Sequence, residues 1–257
     1  MSVPQNGQVP QNGQQQERPV PRGLITDWGG VLTIPVPAAV AAWLEADGID
    51  LQGYRAIMRE WIGGYATNRP VNADTVNADT VNADGRVRHD GVMNPNGFVN
   101  PVHALERGET NPEEFERLLA ARLTRVDGAA VSAAGLLTRM FSKMAPVEAM
   151  YALLRSVRGG GVRIGLLSNS WGNDYPRELF TGVFDSVVIS SEVGMRKPEE
   201  RIFMHAVAGL GLTPEECVFI DDIEANVEAA RALGMLGLHH RDPGTTAAAV
   251  REIFGLA

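Results

Sequence analysis

The sequence contains a single cysteine, Cys217, among its 257 residues, so no disulfide can form within the chain. Such sparse cysteine usage is typical of proteins in reducing compartments, and we expect a cytoplasmic protein. No apolar run is long enough to cross a bilayer, and the N-terminus lacks a hydrophobic segment of the signal-peptide kind. Membrane association is therefore not expected.

Positive charge is also scarce, with 23 lysines and arginines against 31 aspartates and glutamates and a net charge of −8. A sequence pI near 5.2 favours solubility and argues against nucleic acid or an anionic membrane as a partner. The hydrophobic share of 44% is ordinary for a globular protein, and the length allows a large domain with a smaller one attached.

Two segments lack the apolar side chains that a packed core requires. Residues 1–18 are rich in Gln, Asn, Pro and Gly, and we predict a disordered tail there. The pentapeptide VNADT occurs at Val71–Thr75 and again at Val76–Thr80, and a shortened third copy follows. Because Asn and Asp favour turns, residues 71–85 are predicted to form a surface loop.

An alternation of apolar strands with helices predicts the core of the protein. The first strand is predicted at Gly23–Asp27, and helices separate the later strands from Pro146 onward. The later strands are predicted at Val162–Leu167, Phe184–Ser190, Val218–Ile220 and Met235–Leu238. This order predicts an α/β fold, a Rossmann-like parallel sheet with helices on both faces, formed by residues 19–34 and 146–257.

Residues 35–145 interrupt this core with helices and loops and no clear strand. Helices are predicted at Ala38–Ala46, at Tyr54–Ile62, from Asn111 onward and at Ser132–Met144. The segment His89–Val102 has the Gly and Pro content of a loop. We therefore expect an inserted helical domain.

Polar side chains follow each predicted strand at the point where it ends. Asp27 precedes a Gly-Gly pair that lets backbone N–H groups approach an anion, and Ser168-Asn169 offers a hydroxyl and an amide. Lys197 precedes a helix opened by Pro198. Each of these features alone also fits an ordinary turn or a solvated surface residue.

Two adjacent carboxylates, Asp221 and Asp222, end the strand Val218–Ile220. They repel one another unless a cation or a lysine compensates their charge. Carboxylate oxygens are ligands that suit Mg²⁺. Because parallel strands bring their carboxyl ends to one edge of a sheet, these groups are candidates for a single site.

The order of these motifs resembles that of the haloacid dehalogenase (HAD) superfamily. The four motifs stand here as DWGGVL (Asp27–Leu32), LLSNS (Leu166–Ser170), GMRKPEERIF (Gly194–Phe203) and VFIDDIEANVEAARALGM (Val218–Met235). They are similar to the capped branch that includes the N-terminal phosphatase domain of soluble epoxide hydrolase. The segment Glu106–Glu109, before a capped helix, also looks similar.

The resemblance implies a Mg²⁺-dependent phosphatase for a small phosphorylated molecule, present as a monomer or homodimer. Asp27 would be the nucleophile that forms an aspartyl-phosphate, and Lys197 would neutralise charge. Phosphate would be held by Trp28, Gly29, Ser168, Asn169 and Lys197. Mg²⁺ would be bound by Asp27, the backbone carbonyl of Gly29, Asp222 and Asp221. The helical insertion would be the cap that closes over the site and selects the substrate.

One position departs from the family's phosphatases, which usually carry a second Asp two residues after the nucleophile as general acid and base. Gly29 stands there and cannot transfer protons. Three interpretations stay open: a slow phosphatase or one for a good leaving group, a cap residue that transfers the proton, or lost hydrolysis. The candidate cap residues are His89, Asp90, His103 and Glu106.

Two alternatives to a phosphatase also stay open. A dehalogenase-type hydrolase would lack the second Asp and need no metal, but the pair Asp221 and Asp222 argues for a cation. A catalytically silent HAD domain would bind a phosphorylated ligand or a protein instead.

Overall fold

The computed structural model describes residues 19–62, 100–172 and 175–256. Within these ranges, five parallel strands form one sheet in the order β3-β2-β1-β4-β5. The strands are β1 Gly23–Thr26, β2 Arg163–Ser168, β3 Ser186–Ile189, β4 Cys217–Asp221 and β5 Leu236–His239. The predicted α/β class is confirmed. The predicted N-terminal tail, the VNADT repeat, His89 and Asp90 lie outside the described residues.

Helices cover both faces of the sheet because side chains alternate along its buried strands. Leu24 of β1 packs in a cluster with helices Glu148–Gly159 and Pro243–Phe254, whereas its neighbour Ile25 packs in a second cluster with helices Glu200–Leu210 and Glu224–Ala232. The core helices are α6 Glu148–Gly159, α7 Ser190–Val193, α8 Glu200–Leu210, α9 Glu224–Ala232 and α10 Pro243–Phe254. Every described helix is too short or too polar to cross a membrane.

A group of helices, which we call the helical insertion, lies between β1 and α6. It contains α1 Val36–Asp47, α2 Leu51–Ile62, α3 Pro101–Glu106, α4 Pro112–Ala120 and α5 Leu136–Phe141. These helices bury a hydrophobic cluster of their own around Trp43, Phe115 and Leu136. Apolar side chains on one side of each helix therefore meet each other and not the sheet.

The segment ending at Val102, predicted as loop, is partly helical. Helix α3 starts at Pro101, after an Asn100 side chain that accepts hydrogen bonds from the backbone N–H groups of Val102 and His103. An asparagine cap followed by proline is a strong start signal that the Gly and Pro content obscured. The same kind of signal, Asp242 before Pro243, opens helix α10, which the sequence analysis did not predict.

Helix α5 is shorter than the predicted Ser132–Met144. It begins at Leu136, after Gly135 in the left-handed region with φ 66°. The buried carboxylate of Glu116 accepts hydrogen bonds from the N–H groups of Gly135 and Leu137. This contact from α4 fixes where the helix starts, and a long-range contact of that kind is not visible in local sequence.

The register of the sheet sets the position of the residues that follow each strand. Thr26 is paired with Leu166 on β2 and with Ile220 on β4. The next residue of each chain segment therefore reaches the same edge, which places Asp27 beside Asp221. This is the edge at which ligands bind in open parallel sheets.

The helical insertion contacts the core closely at Gly108, just after α3. Gly108 has φ +69°, and a Cβ atom there would lie 2.5 Å from the backbone oxygen of Ser191 in α7. Only glycine allows both the left-handed backbone and this approach. Gly128, with φ +80°, has nothing within 4 Å of the same hypothetical atom.

We predict that Gly108→Ala destabilises the protein more than the matched Gly128→Ala. Both substitutions strain a left-handed residue, at a cost of about 1–2 kcal/mol, but only the first forces α3 and α7 apart. Urea unfolding of both variants measures the difference. Equal losses in the free energy of unfolding would show that the close contact of Gly108 with Ser191 does not contribute to stability.

Candidate active site

The ammonium group of Lys197 lies between two carboxylates at the carboxyl edge of the sheet. Its Nζ is 2.9 Å from Oδ1 of Asp27 and 2.6 Å from Oδ2 of Asp221. The lysine side chain is 1% exposed and that of Asp221 is not exposed at all. Charges buried this deeply require compensation by partners, and these three groups provide it for one another.

Asp221 has almost no free capacity for further partners. Besides Lys197, its oxygens accept hydrogen bonds from the backbone N–H of Ile223 at 2.8 Å and from the Asn226 amide at 3.1 Å. A carboxylate with this many donors is held in one orientation. Asp221 therefore orients Lys197, which in turn contacts Asp27.

A third carboxylate completes an acidic cluster. Asp27, Asp221 and Asp222 each offer an oxygen within 4.8 Å of the others. Asp222 packs against the backbone of Gly30, where a Cβ atom would lie 2.3 Å from its Oδ2. Gly30, with φ 77°, therefore provides both the turn after β1 and the space for this carboxylate.

The electrostatics of the cluster favour a bound cation. Burial raises the pKa of Asp27 to about 7, Asp221 and Asp222 add to the rise, and Lys197 opposes it. Burial and the charge of Asp221 raise the pKa of Asp222 to about 6. Burial opposes the charge on Lys197, but Asp221 and Asp27 outweigh it and raise the pKa of the ammonium group. One lysine thus leaves negative charge uncompensated, which a divalent ion would neutralise.

The predicted phosphate-binding residues after β2 lie on the same edge. The Ser168 hydroxyl is buried and accepts a hydrogen bond from Tyr175 at 3.0 Å. The Asn169 side chain bonds to the backbone of Lys197, accepting from its N–H at 2.8 Å and donating to its carbonyl at 3.1 Å. Asn169 thus ties the loop after β2 to the lysine that enters the acidic cluster.

Trp28 and Gly29 follow Asp27 directly. The backbone N–H of Trp28 donates to Oδ1 of Asp27 at 2.7 Å. The indole ring of Trp28 packs against Tyr175 and Phe141. Gly29 is half-buried, and a Cβ atom there would lie 3.4 Å from Val36 and 3.5 Å from Met144. These are ordinary contacts, so a Cβ atom fits at position 29.

Of the candidate proton-transfer residues, two fall within the described residues. Burial and the neighbouring charge of Arg107 together lower the pKa of His103 to about 4, against the opposing charge of Glu199. Glu106 is buried and contacts Arg196 and Trp171. Both lie at α3 in the helical insertion.

The sequence analysis did not find the residues that support the site. Asn226 lies inside the quoted fourth motif, five residues after Asp221 and in the first turn of α9, so the motif itself contained a usable signal. Tyr175 carries no such signal, since its partner Ser168 is reached only through the folded loop.

The chain matches a known protein family over most of its length. Residues 21–234 match the family model for haloacid dehalogenase-like hydrolases. Since the match includes the whole sheet except β5, the chain belongs to the haloacid dehalogenase-like hydrolase family.

The relatives include phosphatases. The chain is 30% identical over 155 residues to the sesquiterpene phosphatase astK of Aspergillus oryzae, covering 59% of this chain and 78% of that protein. It is 34% identical over 96 residues to bifunctional epoxide hydrolase 2 of Rattus norvegicus, covering 34% of this chain but only 17% of that protein. A solved HAD family enzyme of Bacteroides thetaiotaomicron shares the fold, with a TM-score of 0.54 at 21% identity over 86% of this chain and 94% of that one.

We predict that Lys197→Met destabilises the protein by about 3–5 kcal/mol, because it leaves the buried Asp221 carboxylate without its partner. Adding Asp221→Asn in the same chain is expected to recover part of the loss. Urea unfolding in a chelating buffer measures both.

The matched control is Lys143→Met, which replaces the other lysine of the sequence, in the half-exposed segment after α5. It is expected to change the free energy of unfolding by less than about 0.5 kcal/mol. A double variant no more stable than Lys197→Met alone would contradict the mutual compensation.

Proposed function

We propose that the protein is a Mg²⁺-dependent phosphatase that acts on a small phosphorylated molecule through an aspartyl-phosphate on Asp27. The observation that carries the proposal is the contact of Asp27 with Lys197 inside a buried cluster of carboxylates. A carboxylate held beside a fixed ammonium group at a sheet edge is suited to attack a phosphoryl group. The ammonium group offsets the negative charge of the carboxylate and of the phosphoryl oxygens, which would otherwise repel one another.

In the first step, a carboxylate oxygen of Asp27 attacks phosphorus and the ester oxygen leaves with its electron pair. Lys197 stabilises the charge that develops on the phosphoryl oxygens. The Ser168 hydroxyl, oriented by Tyr175, donates to one of them. In the second step water attacks the aspartyl-phosphate, releases phosphate and restores Asp27.

The acidic cluster fits a divalent cation because its three carboxylates converge and one lysine does not balance them. Asp27, Asp222 and the carbonyl of Gly29 would hold Mg²⁺, which supplies positive charge for the attacking and phosphoryl oxygens. The oxygens of Asp221 already accept hydrogen bonds from Lys197, Ile223 and Asn226. Asp221 would therefore not bind the ion directly but would add negative charge next to its ligands.

Asn169 serves this mechanism indirectly. Its amide holds both backbone groups of Lys197. We infer that it places the lysine and leaves the direct phosphate contacts to Ser168, Lys197 and the backbone at Trp28 and Gly29.

The helical insertion would be the cap that covers the site and selects the substrate. It carries its own hydrophobic cluster, and Val36 and Met144 at its two ends reach the surroundings of Gly29. Phosphatases for several different small molecules occur among the relatives, including the sesquiterpene phosphatase and a phosphoserine phosphatase of Thermus thermophilus. These relatives support the reaction class. Because their substrates differ, they do not indicate the substrate of this protein, which we expect the helical insertion to select.

We predict that hydrolysis of an aryl phosphate requires both Mg²⁺ and Asp27. Chelation of the metal or Asp27→Asn is expected to lower kcat at least about 10³-fold, because each removes a group that acts on the reacting phosphoryl. Release of phosphate from 4-nitrophenyl phosphate, followed by absorbance, measures both. Metal-independent halide release from a haloacid would support a dehalogenase instead, and no turnover with phosphate still bound would support a silent binding domain.

A second prediction concerns the missing proton-transfer group. Gly29→Asp is expected to raise kcat about 10²-fold for an aryl and for an alkyl phosphate, because an aspartate there would activate the water that attacks the aspartyl-phosphate, and would also protonate the poor leaving group of the alkyl ester. The backbone at position 29 lies outside the left-handed region and the added Cβ meets only ordinary contacts.

Gly29→Asn is the matched control, with nearly the same shape as aspartate and an amide that cannot act as a general acid or base. A gain shared by both variants, or absent from both, would show that position 29 does not limit proton transfer.

A further inference from the structure

One carboxylate of the helical insertion bridges the two loops that carry the catalytic groups. Glu106, at the end of α3, accepts a hydrogen bond from Nε1 of Trp171 on Oε1 at 3.2 Å. Its Oε2 accepts from Nε of Arg196 at 2.5 Å, in an ion pair whose side chains are 4% and 8% exposed. Each oxygen of Glu106 therefore holds a different loop of the core.

These loops are the ones that place the phosphate-binding groups. Arg196 immediately precedes Lys197, and Trp171 follows the Ser168-Asn169-Ser170 sequence. Hydrogen bonds from backbone to side chain also join the loops to each other and to α7. The Lys197 N–H donates to Oδ1 of Asn169 and the Ser170 N–H donates to Oγ of Ser190, each at 2.8 Å. A shift of Glu106 would therefore be passed to both loops.

The two residues after Glu106 also contact the core, and the first of them carries a positive charge. Arg107 pairs with Glu199 at 2.6 Å, just before α8. Gly108 then approaches the backbone of Ser191. Glu106 thus pairs with Arg196 of the core, and the next residue, Arg107, pairs with Glu199. Because the two pairs have opposite polarity, a shift of α3 along the core would break both.

A role for Glu106 in direct proton transfer fits these contacts poorly. Burial raises the pKa of its carboxyl, while the Trp171 hydrogen bond and the charges of Lys197 and Arg107 oppose the rise. The adjacent Arg196 guanidinium favours the carboxylate further. Both oxygens are already held by donors, so transfer of a proton to a leaving group would require breaking one of these bonds.

We propose that Glu106 is a positioning residue: by bridging Arg196 and Trp171, it holds the Lys197 loop and the Ser168-Asn169 loop in the geometry that phosphoryl transfer needs. The helical insertion thereby completes the site as well as covering it. The catalytic part of this inference rests on the proposed phosphatase function. Small displacements of reacting groups are costly, so the effect on rate is expected to be large.

The kinetic test is Glu106→Gln, which keeps the size of the side chain but removes the charge. We expect kcat for 4-nitrophenyl phosphate to fall about 10- to 100-fold, with a smaller change in KM. In an Arg196→Gln background, the same substitution is expected to change kcat less than about threefold, because the two residues act as one unit.

The matched control is Asp47→Asn, another exchange of a carboxylate for an amide. It breaks the Asp47–Arg139 ion pair of 2.7 Å inside the helical insertion and touches no core loop. We expect its kcat to stay within about twofold of the wild type, because this pair contacts no loop of the site. The loss of stability is expected to be small, since partly exposed ion pairs contribute little to the free energy of unfolding.

Amide hydrogen exchange tests the inference without turnover. The N–H groups of Ser170 and Lys197 are expected to exchange at least about tenfold faster in Glu106→Gln and at wild-type rates in Asp47→Asn. Faster exchange together with a lower kcat supports the proposal.

Three results would overturn it. Unchanged exchange of both amides would show that Glu106 does not hold the loops, whether or not the wild type hydrolyses phosphate esters. Faster exchange with unchanged kcat would leave Glu106 a purely structural contact, and a lower kcat without faster exchange would point to direct chemistry. Absence of wild-type turnover would reject the proposed function alone, and the exchange rates would then decide the positioning role.

Discussion

The ion pairs of the buried Lys197 connect three separate parts of the chain. The lysine enters from the loop before α8, and its two carboxylate partners follow β1 and end β4. Such an arrangement is stable only when every charge has a partner, because the interior solvates none of them. The parallel sheet provides this, since the register of β1 with β4 places Asp27 and Asp221 at the same edge. Fold and site therefore depend on each other: the sheet orients the carboxylates, and the lysine makes their burial tolerable.

The helical insertion adds a second set of buried charges at the boundary of the site. Glu106 and Arg107 pair with Arg196 and Glu199, which lie on either side of Lys197 in sequence. A purely apolar contact would hold the insertion in place but would not fix its register, whereas paired charges penalise every misaligned arrangement. In this account the insertion helps to set the geometry of the phosphate-binding loops. Under the proposed function, substrate selection and catalysis would share this interface.

Local sequence patterns predicted the sheet and the groups at its edge, because apolar strands followed by polar residues are a short-range signal. Long-range partners were different. The Asn169 amide donates to Lys197 through the same NH₂ group from which a phosphate would accept, so residue type alone could not distinguish the two roles. Tyr175 and Trp171 reach the site only through folded loops. Helix α3 was missed for another reason: its cap, Asn100 before Pro101, was readable, but the surrounding composition favoured a loop.

Gly29 gives the account its most direct test. Without a group at that position to activate water, attack on the aspartyl-phosphate is expected to be the slow step, so the phosphorylated enzyme should accumulate. Mass spectrometry of protein mixed with an aryl phosphate and Mg²⁺, then quenched in acid, measures this. The account predicts one added phosphoryl group on the peptide that contains Asp27, and none in Asp27→Asn. An unmodified Asp27 during turnover, or a label on another residue such as Ser168, would contradict it.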